Sequence, residues 1–139
     1  MASFLYDSAI QNIGSGLIDL DTHAFKIALL TSSYSPNPTT HTQWSHVSPY
    51  EISASGYTTL GKSLSGVTWA TSSSISKFDA SDVVWTAATI TARYAVIYDD
   101  SAANDPLICL LDFGQNMIST NDDFTIQFDA NGIFRITTS

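Results

Sequence analysis

From Phe124 to Thr138 the chain reads FTIQFDANGIFRITT, two alternating runs of apolar and polar residues around Asn131-Gly132. Such alternation marks strands that bury one face. A two-residue turn on Asn131-Gly132 would set Phe128 opposite Arg135 and Ile126 opposite Thr137, mixing apolar and polar on one face. A three-residue loop, Ala130-Asn131-Gly132 with Gly132 left-handed, instead opposes Phe128 to Phe134, Ile126 to Ile136 and Phe124 to Thr138. Each large side chain moved between core and solvent changes the free energy by about 1.5–3 kcal/mol. The pattern therefore predicts the three-residue hairpin.

The same periodicity places other strands. In AFKIALL, residues 24 to 30, Phe25, Ile27 and Leu29 share one face, and Ala24, Lys26, Ala28 and Leu30 share the other. Strand-like runs follow at VTWAT (67–71), ISKFD (75–79), DVVWT (82–86) and TITARYAVIYDD (89–100). PLICLLDF, residues 106 to 113, is apolar on both parities. A strand of that kind is covered on both faces, so Leu107 to Phe113 is expected to be central. DDSAANDP, residues 99 to 106, suits the turn of an antiparallel hairpin.

One segment has helical spacing. Phe4, Leu5, Ala9, Ile10 and Ile13 predict a short helix over about residues 4 to 13, capped by Ser3 and ended by Gly14 or Gly16. It is the expected cover for the central strand. Residues 32 to 49, SSYSPNPTTHTQWSHVSP, break every period and hold three prolines and two histidines. Loops of that length usually carry function. A helical turn is expected at Thr42 to Val47, with Trp44 anchoring the loop to the body. EISASGYTTLGKSL, residues 51 to 64, reads as a short extended piece and a turn. Many short strands without intervening helices predict a mainly β fold: an antiparallel β-sandwich or flattened barrel, one domain over residues 1–139, with a short N-terminal helix and the long loop at 32–49.

Composition narrows the partners. The chain has 139 residues, 44% apolar and 13% charged, with 13 acids against 5 bases and a net charge of −8. The five bases, Lys26, Lys62, Lys77, Arg93 and Arg135, are scattered, which disfavours nucleic acid and anionic membrane surfaces. No apolar run approaches the length of a bilayer span. The start, MASFLYDSAIQNIG, lacks a basic region and carries Asp7, so it does not read as a secretory signal. Cys109 is the only cysteine and sits in LICLL, where a thiol acts as a small hydrophobe.

Candidate chemistry is sparse. His41 and His46 are five apart, without a third ligand nearby, and read as surface loop residues; His23 is isolated. The doublets Asp99-Asp100 and Asp122-Asp123 read as solvated turn acids, since no D-x-D-x-D-G calcium loop occurs. Asp82 caps or begins a strand. There is no G-x-S-x-G elbow, no P-loop and no dinucleotide fingerprint, and Glu51 is the only glutamate. A Ser-His-Asp triad remains open, because it is recognised by geometry. Arg93, inside an apolar strand, is read as an outward guanidinium paired with Asp82, Asp99 or a neighbouring strand; the functional alternative is an ion pair across an interface. The expectation is no catalytic residue, no metal and no cofactor.

Five blocks in collinear order carry a resemblance. They are FLYDSAIQNIGSGLIDLDTHAFKIALLTSSYSPN, EISASGYTTLGKSLSGVTW, DASDVVWTAATITARYAVIYDD, PLICLLDFGQN and FTIQFDANGIFRIT. Together they cover nearly the whole chain and resemble a group of small virion structural proteins of tailed bacteriophages. The resemblance implies a non-enzymatic component of the virion, with a head decoration (cement) protein on the capsid exterior as the favoured role. It implies the major capsid protein as partner and a homotrimer as assembly. The alternative is a tail, fibre or baseplate component binding host-surface glycan, for which Trp69 and Trp85 are candidates. For partner contacts the expected residues are Tyr34 and Trp44, on the 32–49 loop, and Arg93. That loop and the N-terminal segment are the expected docking arms.

Overall fold

The structure is a computed structural model and describes residues 3–137. The chain folds mainly as β-structure in two antiparallel sheets. The elements are β1 (Ser3–Leu5), α1 (Asp7–Ser15), β2 (Phe25–Leu30), β3 (Lys62–Ser63), β4 (Thr68–Ser72), β5 (Ile75–Asp79), β6 (Val83–Asp99), β7 (Leu107–Ile126) and β8 (Phe134–Thr137). Two single 3₁₀ turns, Trp44–His46 and Ser48–Tyr50, lie between β2 and β3. The larger sheet has the order β1-β7-β6-β2-β3, and the smaller β4-β5-β8.

The larger sheet is buried on both sides because its strands are apolar on both parities. On β2, Phe25, Ile27 and Leu29 enter the core shared with the smaller sheet, while Ala28 and Leu30 enter a second core on the opposite face. On β6, Ala95 and Ile97 join the first core, and Tyr94, Val96 and Tyr98 the second. β7 follows the same rule with one exception. Its register to β6 slips between Ile97↔Cys109 and Tyr98↔Leu107, so Ile108 is an extra residue. That bulge puts Ile108 and Cys109 together in the first core. Leu107 to Leu111 are all buried, as a strand apolar on both faces requires. The layers are thus the small sheet, the large sheet, and a cover of helix and loop.

Three expectations change at this level. The helix does not span 4 to 13: Ser3, Phe4 and Leu5 pair antiparallel with Leu111, Leu110 and Cys109, and α1 begins at Asp7. The edge of β7 offers ladder hydrogen bonds that local propensity does not match. Tyr6 stands at the N-cap with no side-chain cap, and α1 ends on Gly16. Second, α1 is not the sole cover of the central strand. Tyr6 and Ala9 share the second core with Tyr34, Trp44 and Val47 of the long loop. Third, the two runs at 82–86 and 89–100 form one strand, β6, kinked by register shifts between Trp85 and Ala88 and between Ala88 and Ile90.

The final hairpin is replaced by a change of sheet. The end of β7 pairs with β6, with Phe124 opposite Trp85 and Ile126 opposite Val83. β8 pairs with β5 instead, with Phe134 opposite Phe78 and Ile136 opposite Ser76. The inward parity of Phe124, Ile126, Phe128 and Phe134 is as expected, but Ile136 is 44% exposed; Thr138 lies outside the described residues. Asp82 starts the departure by accepting the Phe128 N–H at 2.9 Å. A turn closed by Gly132 N–H to the Asp129 carbonyl (2.8 Å) then sends the chain to β5, where the Ile133 N–H donates to the Phe78 carbonyl at 2.8 Å. Gly132 has φ +88°, as the pattern predicts, and a Cβ there would stand 2.8 Å from the Phe78 carbonyl oxygen. β5 has a free edge to fill, and filling it with β8 completes the small sheet.

Gly132→Ala is therefore expected to lower stability by about 1–3 kcal/mol, through left-handed strain and the clash with β5. Gly14→Ala, inside α1 with nothing within 4 Å of the added methyl, is expected to raise it by about 0.5–1 kcal/mol. Urea unfolding of the two variants beside the parent measures both; equal effects would contradict this account of the crossover.

Candidate functional site

The long loop lies against the sheet. The Trp44 ring stacks on Tyr98 at 4.7 Å between centroids, and only 8% of Trp44 is exposed. Backbone bonds from Trp44 N–H to the Asp105 carbonyl (2.9 Å) and from Leu107 N–H to the Thr42 carbonyl (3.1 Å) tie the loop to the β6–β7 turn. Trp44 thus anchors the loop as expected, and the expected helical turn is the 3₁₀ turn at Trp44–His46. Tyr34 is 2% exposed. Neither the loop nor β1 and α1 reach away from the body as arms. The loop's outer surface is hydroxyl-rich, with Ser32, Ser33, Ser35, Thr39, Thr40 and Ser45 exposed.

Beneath that surface runs a polar chain. Tyr6 Oη lies 2.9 Å from Tyr34 Oη, which lies 2.8 Å from His41 Nδ1. Burial pushes the Tyr6 hydroxyl far above the ordinary phenol range, and burial also raises Tyr34. His41 is held below the ordinary imidazole value, first by burial and then by repulsion from His46. The His41 and His46 rings are 6.1 Å apart, and His46 Nδ1 accepts the Thr42 N–H at 3.0 Å. Among the described residues no three His, Cys, Asp or Glu side chains gather in a metal-binding group.

Arg93 pairs on the neighbouring strand. Its Nε donates to Asp112 Oδ1 at 3.0 Å, and its guanidinium stands 5.4 Å from the Tyr94 ring centroid. The partner is not Asp82, which holds the Phe128 N–H, nor Asp99. Burial works to raise the Asp112 pKa, but the Gly114 N–H and Arg93 outweigh it and hold the carboxyl below its ordinary value. Both residues lie at an irregularity: the register steps from Tyr94↔Asp112 to Ala92↔Met117, leaving Phe113 to Asn116 without partners on β6.

The sequence reading missed one pair altogether. Asp99 is wholly buried rather than solvated. Its Oδ2 lies 2.6 Å from His23 Nδ1, and its Oδ1 accepts the N–H groups of Ser101 (2.8 Å) and Ala102 (3.2 Å). His23 and Asp99 are 76 positions apart, so no local spacing signals them. The Asp19 N–H also points to His23 Nδ1 at 3.3 Å, and the pair ties the approach to β2 to the β6–β7 turn. Asp100 ion-pairs with Lys26 at 3.9 Å. Cys109 is buried, which pushes its thiol up to about 12.

β7 also presents an open strand edge. β1 covers β7 only at Cys109 to Leu111, and among the described residues no strand pairs with the outer edge of β7 beyond it. Residues 114 to 118 and 120 to 123 are exposed there. Ile118 is 68% and Met117 42% exposed, beside a shallow hollow that Phe113 and Phe124 also line. The sequence reading ended this strand at Phe113, because GQNMISTNDD is polar and shows no alternation.

The polar chain through His41 gives a pH dependence. His41 binds a proton less readily in the folded chain than in the unfolded one. Below the ordinary value of 6.5 the unfolded chain takes up more protons, so this contribution to stability is complete above that pH and is lost as pH falls through the lower folded value. Urea midpoints measured from neutral to mildly acidic pH are expected to fall less steeply for His41→Gln than for the parent. Identical slopes would remove His41 from this role.

No family model, no curated protein and no solved structure matches the chain.

Proposed function

We propose that this chain is a structural protein of a bacteriophage virion, most specifically a head decoration protein that binds the outside of the capsid and stabilises it. The observation that carries the reading furthest is the open outer edge of β7 with Met117 and Ile118 exposed on it. Unpaired edges invite strand addition, and isolated proteins usually blunt or cover them. An edge that stays open suits a protein whose working state is an assembly. The major capsid protein is the proposed partner, and a homotrimer the proposed oligomer.

The reactive side chains support the same reading, because they are committed internally. His23 is clamped to Asp99, His41 to Tyr34 and His46 to a backbone N–H. Glu51 accepts the Tyr57 hydroxyl at 2.6 Å and the Leu60 N–H at 2.8 Å. We assign the protein no catalytic step. Its buried Tyr34 and Trp44 set the shape of the loop, so the exposed hydroxyls above them and the β7 edge are the proposed contact surface.

One observation favours a second reading, recognition of host-surface glycan by a tail-associated protein. Trp69 is half-buried in a hollow shared with Asp19 and Asp21, an aromatic platform beside acids. Trp85 is 4% exposed and does not serve.

Purified particles are expected to contain the protein in copy number comparable to the shell protein, and heads lacking it are expected to lose heat tolerance. Ile118→Lys, at an exposed position, is expected to weaken binding to empty heads at least tenfold, a hot-spot loss of about 1.4 kcal/mol or more. Undiminished binding would remove the edge from the interface. Low copy number, with a glycan-array signal lost in Trp69→Ala, would move the protein to the tail.

A further inference from the structure

Lys77 on β5 and Arg135 on β8 stand directly opposite each other in the small sheet. Their parity is opposite to that of Phe78 and Phe134, which face the core, so both point outward. Like charges in that register repel. Yet two of the five bases of a chain with 13 acids occupy it. Beside them is a hollow with Ala70 and Ser72 on one side and Ala130 and Asn131 on the other.

The two cations are incompletely matched. Lys77 Nζ lies 3.7 Å from Asp79 Oδ2 and 3.4 Å from the Ala130 carbonyl. Arg135 has only a side-chain amide: Nη1 donates to Asn131 Oδ1 at 3.3 Å. Among the described residues no acid lies within ion-pair distance of Arg135. The guanidinium fork keeps donors free for a planar carboxylate.

The complementary feature is on the same chain. Asp122 and Asp123 are both exposed at the open edge of β7. Each accepts one backbone N–H, Asp122 from Asp123 at 2.8 Å and Asp123 from Ala87 at 3.3 Å, and among the described residues neither has a cationic partner. The other acidic doublet is already used, Asp99 by His23 and Asp100 by Lys26. We propose that the Lys77/Arg135 hollow is a carboxylate-recognition site occupied by Asp122 and Asp123 of a second copy of this chain. The contact joins two different patches of the chain, so it is met either reciprocally in a two-fold dimer or head-to-tail in a ring. It supplies a self-contact of the kind the decoration reading calls for, but it belongs to the purified protein and is decided in solution without capsids.

Sedimentation velocity on the purified chain, across concentration and salt, tests it. The parent is expected to associate at low ionic strength and dissociate as salt screens the contact. Lys77→Glu/Arg135→Glu and Asp122→Lys/Asp123→Lys are each expected to raise the dissociation constant at least tenfold, with unchanged circular dichroism. The fourfold variant, with both signs exchanged, is expected to recover association. Arg135→Gln, milder for the fold, is expected to weaken it in the same direction. A parent that stays monomeric at every concentration overturns the proposal, as does an oligomer that survives both reversals. An oligomer dissolved by the Lys77/Arg135 reversal alone overturns the assigned occupant. Failure of head binding with this self-contact intact would count against the decoration reading and leave the hollow assigned.

Discussion

The larger sheet presents apolar side chains to both of its faces, and the rest of the molecule is arranged to keep water from each. One face is closed by the small sheet, where Phe78 meets Phe25 edge-on at 5.1 Å. The other has no sheet available. It is closed by α1 and the long loop, which bring Tyr6, Tyr34 and Trp44 over Leu30, Val96 and Leu110. Closing a sheet with irregular chain has a consequence. Loops carry backbone groups and polar side chains into the interior, and each of these has to find a partner there.

That requirement explains where the chemistry-bearing side chains went. The tyrosine tips brought in by the cover pair with each other and with His41. Asp99 satisfies the N–H groups of the tight turn between β6 and β7. Glu51, just after the second 3₁₀ turn, receives Tyr57 and Leu60 and so secures the connection to β3. Groups that in another fold would converge on a substrate are here spent on holding connections in place.

Two surfaces are incomplete in the single chain. Among the described residues the β7 edge has no strand partner beyond Leu111; it is interrupted by the irregularity at Phe113 to Asn116 and carries Asp122 and Asp123 toward its far end. A bulge and charges limit which strands can pair along an edge, so this one is selective. The outer face of the small sheet sets Lys77 opposite Arg135; Lys77 has Asp79 at 3.7 Å, and among the described residues Arg135 has no acid within ion-pair distance.

The parity of side chains was determined by the sequence. Phe25, Ile27 and Leu29 against Ala28 and Leu30 follow from a two-residue period and need no tertiary information. The burial of Leu107 to Leu111 follows from their unbroken apolarity, whereas the shared face of Ile108 and Cys109 is set by the bulge against β6. The left-handed Gly132 was equally legible, because few other residues accept that conformation. Tertiary structure decided which strand each face would meet. The alternation around Asn131-Gly132 fits a hairpin and a sheet change equally well, because period two fixes a side and is silent about the neighbour. Residues 3 to 5 became a strand only because β7 offered an edge, and His23 found Asp99 only because two distant turns are adjacent in space. Local pattern reports what a residue buries; long-range pairing, which selects among partners of equal local merit, is settled only when the whole chain closes.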